Sequence, residues 1–125
     1  MTAIKASIKA SSLNDLEIKN GTEACQRFMF AENFMGFSGH FKGRPILPAI
    51  VQIMTAWTVA EEMEGIPLHL EEIPKAKFVN TVKPNQEIKV TCTKKNSPKK
   101  LRFSVEINSL DELTAAFVLV GCPQN

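Results

Sequence analysis

Residues 45–67 read PILPAIVQIMTAWTVAEEMEGIP, and the fold turns on how they are read. From Ala49 to Glu64 there is neither glycine nor proline, which predicts one long helix. Pro48 suits a first-turn position, where a missing N–H is not needed, and Gly65 followed by Pro67 supplies the stop. Ile50, Ile53, Met54 and Trp57 recur at i, i+3, i+4 and i+7 as an apolar stripe, and Val51, Ala56 and Val59 extend the apolar surface around the cylinder. A helix so patterned is mostly buried as far as Glu61.

On either side of it the period drops to two. Leu101, Phe103, Val105 and Ile107 alternate with polar residues, as do Ile88, Val90 and Cys92, the pattern of strands with one wet face. Between these strands KKNSPKK provides Asn, Ser and Pro for a turn, so the two form an antiparallel hairpin with a basic tip. Residues 115–120 form a further strand, and 4–10, 23–31 and 71–80 are the remaining strand candidates. About five or six antiparallel strands with one long apolar helix between the second and third imply an α+β domain whose sheet curls around that helix. One helix covers only one face, so the sheet's open edges invite a partner and a symmetric dimer is expected.

With 125 residues, the chain is expected to form one domain, 1–125. Its 44% hydrophobic and 22% charged residues exclude a disordered tail. Fifteen Lys and Arg against thirteen Asp and Glu leave a net charge of +2, too little to argue for nucleic-acid binding. Cys25, Cys92 and Cys122 are odd in number and widely spaced, so neither a disulfide framework nor a metal site is signalled, and nothing asks for a cofactor. The first ten residues lack the apolar core of a signal peptide, and Gln52 and Thr55 interrupt the longest apolar run. The expectation is a cytoplasmic protein with neither a membrane nor a nucleic acid as partner.

The segment before the helix, ENFMGFSGHFKGRPILPAIVQ (32–52), concentrates the chemistry. Gly36, Gly39 and Gly43 surround His40, and the loop runs into a helix start whose free N–H groups attract an anion or a polarised carbonyl. A histidine titrating near about 6.5 beside such donors has the parts for removing a proton next to a carbonyl. On the residues alone, a structural loop histidine and turn-forming glycines account for the pattern equally well.

GHFKGRPILPAIVQ (39–52) resembles the Gly-His-Phe-Pro-Gly-x-Pro-x-x-Pro-Gly stretch of the 3-hydroxyacyl-[acyl carrier protein] dehydratases of type II fatty acid synthesis, which have the hotdog fold. Asn33 and Phe37 resemble that family's approach to the motif, and KAKFVNTVKPNQEIKV (75–90) is similar to its Arg-Phe-x-x-x-Val-x-Pro-Gly-Asp strand and turn. The resemblance spans roughly residues 28 to 93. It implies a hotdog domain acting on an acyl thioester of acyl carrier protein or CoA, with His40 as general base. The backbone amide at Ala49 holds the thioester carbonyl, and Gly39, Phe41, Ala49, Ile50 and Met54 meet the substrate. It also implies a homodimer or an oligomer of dimers. With such a substrate, Lys42, Arg44, Lys75 and Lys77 are expected to meet the acidic surface of a carrier protein or its prosthetic-group phosphate, although a solvated basic surface accounts for them equally well.

The sequence departs from the family in one catalytic respect. The Glu or Asp expected fourteen residues after the histidine is Met54, which neither donates a proton nor carries charge. Glu61 shares the helix face two turns on, about 10 Å along the axis. Gln52 hydrogen-bonds but does not titrate, Glu32 lies in the loop, and His69 reads as a loop or strand residue. Tyrosine is absent, Lys42 replaces a proline, and the family's opening Tyr-Pro-Phe-Leu segment is missing. Two alternatives therefore stand beside a dehydratase: an acyl-thioester-binding pseudoenzyme and a hotdog thioesterase.

Overall fold

The computed structural model describes residues 2–37 and 45–124. Thr2–Ala10 forms helix α1, where a strand over 4–10 was expected. Ile4, Ala6, Ile8 and Ala10 do alternate with polar residues, but Ile4 and Ile8 are also one helical turn apart, and Ala3, Ala6 and Ala10 favour helix. Ile8 is fully buried and Ile4 packs on the core.

The chain continues through strands β1 (Glu17–Lys19) and β2 (Glu23–Met29), a short 3-10 turn (Met35–Phe37), the long helix α2 (Ala49–Glu64), and strands β3 (Leu68–Glu72), β4 (Lys77–Phe78), β5 (Glu87–Lys95), β6 (Leu101–Ser109) and β7 (Glu112–Pro123). The strands form one sheet in the order β1-β2-β5-β6-β7-β3, with β4 also on β7, and every pairing is antiparallel. Seven strands replace the expected five or six for two reasons. β1 is short and exposed, so it has no apolar alternation, although the Asn20–Gly21 turn after it, at φ 54° and 70°, is a strong hairpin signal. The single strand expected over 71–80 is broken at Pro74, which has no N–H to give, and Lys75 follows at φ 59°. The segment still follows β7, because the Val118 N–H donates to the Pro74 carbonyl at 3.1 Å.

Period-two alternation places Ile88, Val90 and Cys92 of β5, Phe103, Val105 and Ile107 of β6, and Ala115, Phe117 and Leu119 of β7 in the core. The basic hairpin tip is tied down: Lys94 reaches Glu64 at 3.1 Å and Lys100 reaches Glu71 at 2.8 Å. The Lys100 ammonium, hydrogen-bonded to Glu71, holds that carboxyl below its usual range.

α2 ends as expected, with Gly65 in the left-handed region and its N–H donated to the Glu61 carbonyl at 2.8 Å. Its buried face differs from the expected stripe. Val51, Gln52, Thr55, Ala56, Thr58, Val59 and Ala60 are buried, whereas Ile50 is 59% exposed and Ile53, Met54 and Trp57 are partly buried flanks of the core. The sheet approaches α2 where its side chains are small: the Cys92 thiol reaches the Ala56 carbonyl at 3.5 Å. Bulky residues cannot occupy that line and are displaced to its sides. Thr55 and Thr58 satisfy their buried hydroxyls on the carbonyls one turn back, at 2.8 and 2.9 Å.

The β6–β7 turn carries avoidable strain. Leu110 and Asp111 sit at φ 51° and 65°, and Leu110 is 90% exposed with nothing to pack on. A branched L-residue there costs roughly 1–2 kcal/mol, much of which asparagine avoids. Leu110→Asn is expected to stabilise the fold by about 1 kcal/mol in urea unfolding and to raise Tm by about 3–5 °C.

Candidate functional site

Gly39, His40, Phe41, Lys42 and Arg44 lie outside the described residues. The segments on either side are firmly anchored. On the N-terminal side Phe30, Phe34 and Phe37 form a chain of ring contacts, at centroid distances of 4.6 and 5.9 Å. On the C-terminal side the Leu47 N–H donates to the buried Val82 carbonyl at 2.7 Å.

The start of α2 is built differently from most helix starts. Pro48 occupies the N-cap, one position earlier than expected, in extended conformation and with no side-chain cap. Its carbonyl accepts from the N–H groups of Val51 and Gln52 at 3.0 and 3.1 Å. The N–H groups of Ala49 and Ile50 have no acceptor among the described residues. Serine, threonine or aspartate at the cap would have engaged a first-turn donor; proline leaves these donors with the partial positive charge of a helix N-terminus.

Beside this start lies a cavity of about 350 Å³. Residues 46–49 and Gln52 form one wall, and residues 78–81, leaving β4, form the other. Phe78 is stacked on Phe117 with ring centroids 5.8 Å apart, and Asn80 Nδ2 donates to the Leu113 carbonyl at 2.7 Å, so that wall is fixed to β7. Gln52 is 3% exposed. Its Nε2 donates back to the Leu47 carbonyl at 3.2 Å, while Oε1 has no hydrogen-bond partner among the described residues. Among the described residues, the start of α2 therefore combines unpaired backbone donors with a buried, unpaired side-chain acceptor beside a largely apolar cavity. Such a set accommodates a ligand that carries a carbonyl oxygen and a hydroxyl.

Of the residues singled out from the sequence, Ala49 lines this cavity. Ile50 and Met54 lie on the half-exposed flank of α2. Lys75 and Lys77 are exposed on the segment leading to Phe78, Lys77 pairing with Ala116 of β7. Glu32 is exposed, and His69 is an exposed strand residue paired with Cys122. Glu61 is committed elsewhere: its carboxylate pairs with Lys5 of α1 and its Oε2 accepts the Leu68 N–H at 2.8 Å. Burial pushes the Cys92 thiol up to about 12, and Cys122, partly desolvated beside the Glu71 carboxylate, is also raised, so neither is a thiolate nucleophile near neutrality. Gln52 is the residue the sequence undervalues, because a search for titrating groups passes over a neutral amide. Its signal is a lone amide between Val51 and Ile53 on an otherwise apolar turn.

The profile of the ApeI-like family, ApeI dehydratase, matches residues 17–116. No curated protein sequence matches significantly. The dehydratase heterocomplex ApeI:P from Xenorhabdus doucetiae is similar in structure, with TM-score 0.75 at 19% identity over 89% of this chain and 96% of that one. A hypothetical thioesterase with coenzyme A from Streptococcus pneumoniae has TM-score 0.71 at 6% identity, over 100% and 98% of the two chains. The E. coli PaaI protein from the phenylacetic acid degradation operon has TM-score 0.70 at 15% identity, over 98% and 91%. At such identities the likeness establishes the fold, which is the hotdog fold, an α+β architecture.

Glu61 is the nearest helix carboxylate to the site in sequence, and its bonds identify it as an anchor for α1 and β3. Glu61→Ala is expected to lower unfolding stability by about 1–3 kcal/mol, chiefly because it strands the Leu68 N–H, while the half-exposed Lys5 ammonium returns to water. Equilibrium denaturation measures this directly; an unchanged midpoint would show that the anchor contributes nothing.

Proposed function

This chain belongs to the ApeI-like dehydratase family, and from that premise we propose that it interconverts 3-hydroxyacyl and trans-2-enoyl thioesters, carried on acyl carrier protein or CoA. The uncapped start of α2 beside the cavity carries this reading. The thioester carbonyl accepts from the Ala49 and Ile50 N–H groups, which stabilise the enolate-like charge that develops on it. His40 removes a proton from C2. The C2–H electron pair becomes the C2–C3 double bond as the C3–O bond breaks. With Met54 in place of a carboxylate, the His40 imidazolium returns the same proton to the departing hydroxide, which leaves as water. One residue thus acts as base and then as acid.

Gly39, Phe41, Ile50 and Met54 line the acyl path in this proposal. Lys42, Arg44, Lys75 and Lys77 meet the acidic carrier, supported by the exposure of the last two beside the cavity wall. We assign residues 1–125 to one cytoplasmic hotdog domain. The thioesterase alternative requires a carboxylate to activate water, and Glu61 is already engaged by Lys5 and Leu68. The domain pairs with a second copy through the edge formed by β3 and β4, where Phe78 and Val79 are exposed.

His40→Ala is expected to reduce hydration of a trans-2-enoyl thioester by about 10²- to 10⁴-fold; turnover at the wild-type rate would remove His40 from the mechanism. Met54→Glu is expected to speed dehydration of a 3-hydroxyacyl thioester while lowering stability, because a half-buried carboxylate must be solvated or paired. If neither protein turns over a thioester that both bind, the chain is a binding protein and not a lyase. Light scattering at micromolar concentration is expected to give the mass of a dimer, and a monomeric mass would exclude the edge pairing.

A further inference from the structure

We infer that Gln52 recognises the 3-hydroxyl group of the substrate, its side-chain carbonyl accepting the hydroxyl hydrogen while the first N–H groups of α2 hold the thioester carbonyl. This rests on the dehydratase reading and deepens it by giving the site its selectivity for hydroxyacyl chains.

Three observations support the inference. The first is the orientation of the amide. Nε2 is held by the Leu47 carbonyl at 3.2 Å, so the other face of the amide must be Oε1. The opposite orientation would set two oxygens against each other.

The second is the stranded acceptor. Gln52 is 3% exposed and Oε1 has no partner among the described residues. Buried polar atoms are almost always paired, and an apolar side chain of similar size would serve packing on this turn at less cost. A group that arrives with the ligand accounts for the exception.

The third is position. Gln52 lines the cavity together with Ala49, and its amide is tied to the Leu47 carbonyl, two residues before Ala49. A 3-hydroxyacyl thioester offers a matching pair, an acceptor oxygen on C1 and a donor hydroxyl on C3, separated by two carbon–carbon bonds. A saturated acyl or enoyl chain has no donor to offer Oε1.

A neutral amide cannot protonate the leaving group, so Gln52 does not replace the missing carboxylate. It fixes the rotation of the C2–C3 bond that places the hydroxyl for departure. Its contribution is therefore to binding selectivity, and it is the same on either side of the histidine titration.

The test is calorimetric binding of pantetheine amides, which keep the carbonyl but lack the acidic C2 proton and so are not turned over. Four ligands of equal chain length are compared, carrying hydroxyl, hydrogen, fluorine or methoxyl at C3. The wild type is expected to bind the hydroxyl ligand about tenfold more tightly than the other three, the worth of one buried hydrogen bond. Gln52→Met is expected to bind the hydroxyl, hydrogen and fluorine ligands alike. A folded Gln52→Met that keeps the hydroxyl preference overturns the inference. Should that variant fail to fold, the wild-type series decides alone, since fluorine or methoxyl bound as tightly as hydroxyl overturns it equally. Turnover of thioesters without any hydroxyl preference defeats the role of Gln52 and leaves the dehydratase reading intact. A hydroxyl preference without dehydration does the reverse, and binding of none of the ligands defeats both.

Discussion

The close approach of α2 to the sheet is the constraint from which the remaining geometry follows. Ala56 presents only a methyl group beside Cys92, whose thiol reaches the Ala56 carbonyl. On the other flank Gly121 of β7 has no side chain, and a β carbon there would meet the His69 carbonyl and lie 2.8 Å from Cη2 of Trp57. The helix thus meets the sheet through its own small residues at Cys92 and through its Trp57 indole, which lies against the bare Gly121 of β7. Interiors tolerate neither a void nor an extra methyl at such points. β3 pairs with β7 at the same point, Leu70 opposite Gly121, so this contact also sets where that part of the sheet edge runs.

A helix held along its length by packing has no need of a well-capped end. Capping by a side chain is worth about 1 kcal/mol to an ordinary helix. Here Pro48 forgoes it and Leu47 is bonded to Val82 instead, so the entry to the helix is anchored while its first donors have no acceptor among the described residues. Stability is placed in the middle of α2, and the donors at its start are left available. Glu61, at the other end, illustrates the division: it joins α1 and β3 to the helix and is unavailable for chemistry.

Much of this was readable in the sequence wherever one periodicity had no competitor. The β5–β6 hairpin, the length of α2 and its glycine stop follow from patterns that only one structure satisfies. Three features escaped for identifiable reasons. The segment 2–10 satisfies both a two-residue and a four-residue repeat, and helix propensity decided between them. β1 carries no apolar alternation, so only its Asn-Gly turn announces it. The stripe Ile50, Ile53, Met54 and Trp57 was chosen by hydrophobicity, whereas the sheet selects by size and takes the face with Thr55 and Ala56. At the site, the resemblance pointed to the Ala49 amide and marked Met54 as a departure from the family, but the burial of Gln52 and its half-satisfied amide depend on where Leu47 turns, which no local pattern encodes.

That half-satisfied amide bears on how a dehydratase site tolerates the loss of its carboxylate. A stranded amide oxygen costs about 1–3 kcal/mol, and an uncompensated buried carboxylate costs more, with an effective penalty of several kcal/mol per ion. Orientation of the hydroxyl and protonation of the leaving group are separate tasks, and a carboxylate in the position of Met54, on the half-buried flank of α2, would perform both at part of that higher cost. In the proposed mechanism they are divided: the neutral amide orients, and the histidine moves the proton. Division keeps substrate selectivity independent of pH while catalysis follows one titrating group, and it makes the rate depend on how far the imidazolium must reach from C2 to the C3 oxygen. An elimination in which both bonds lie on the same side of the chain keeps that reach short, and in the proposed mechanism an oriented hydroxyl favours that geometry without being required for turnover.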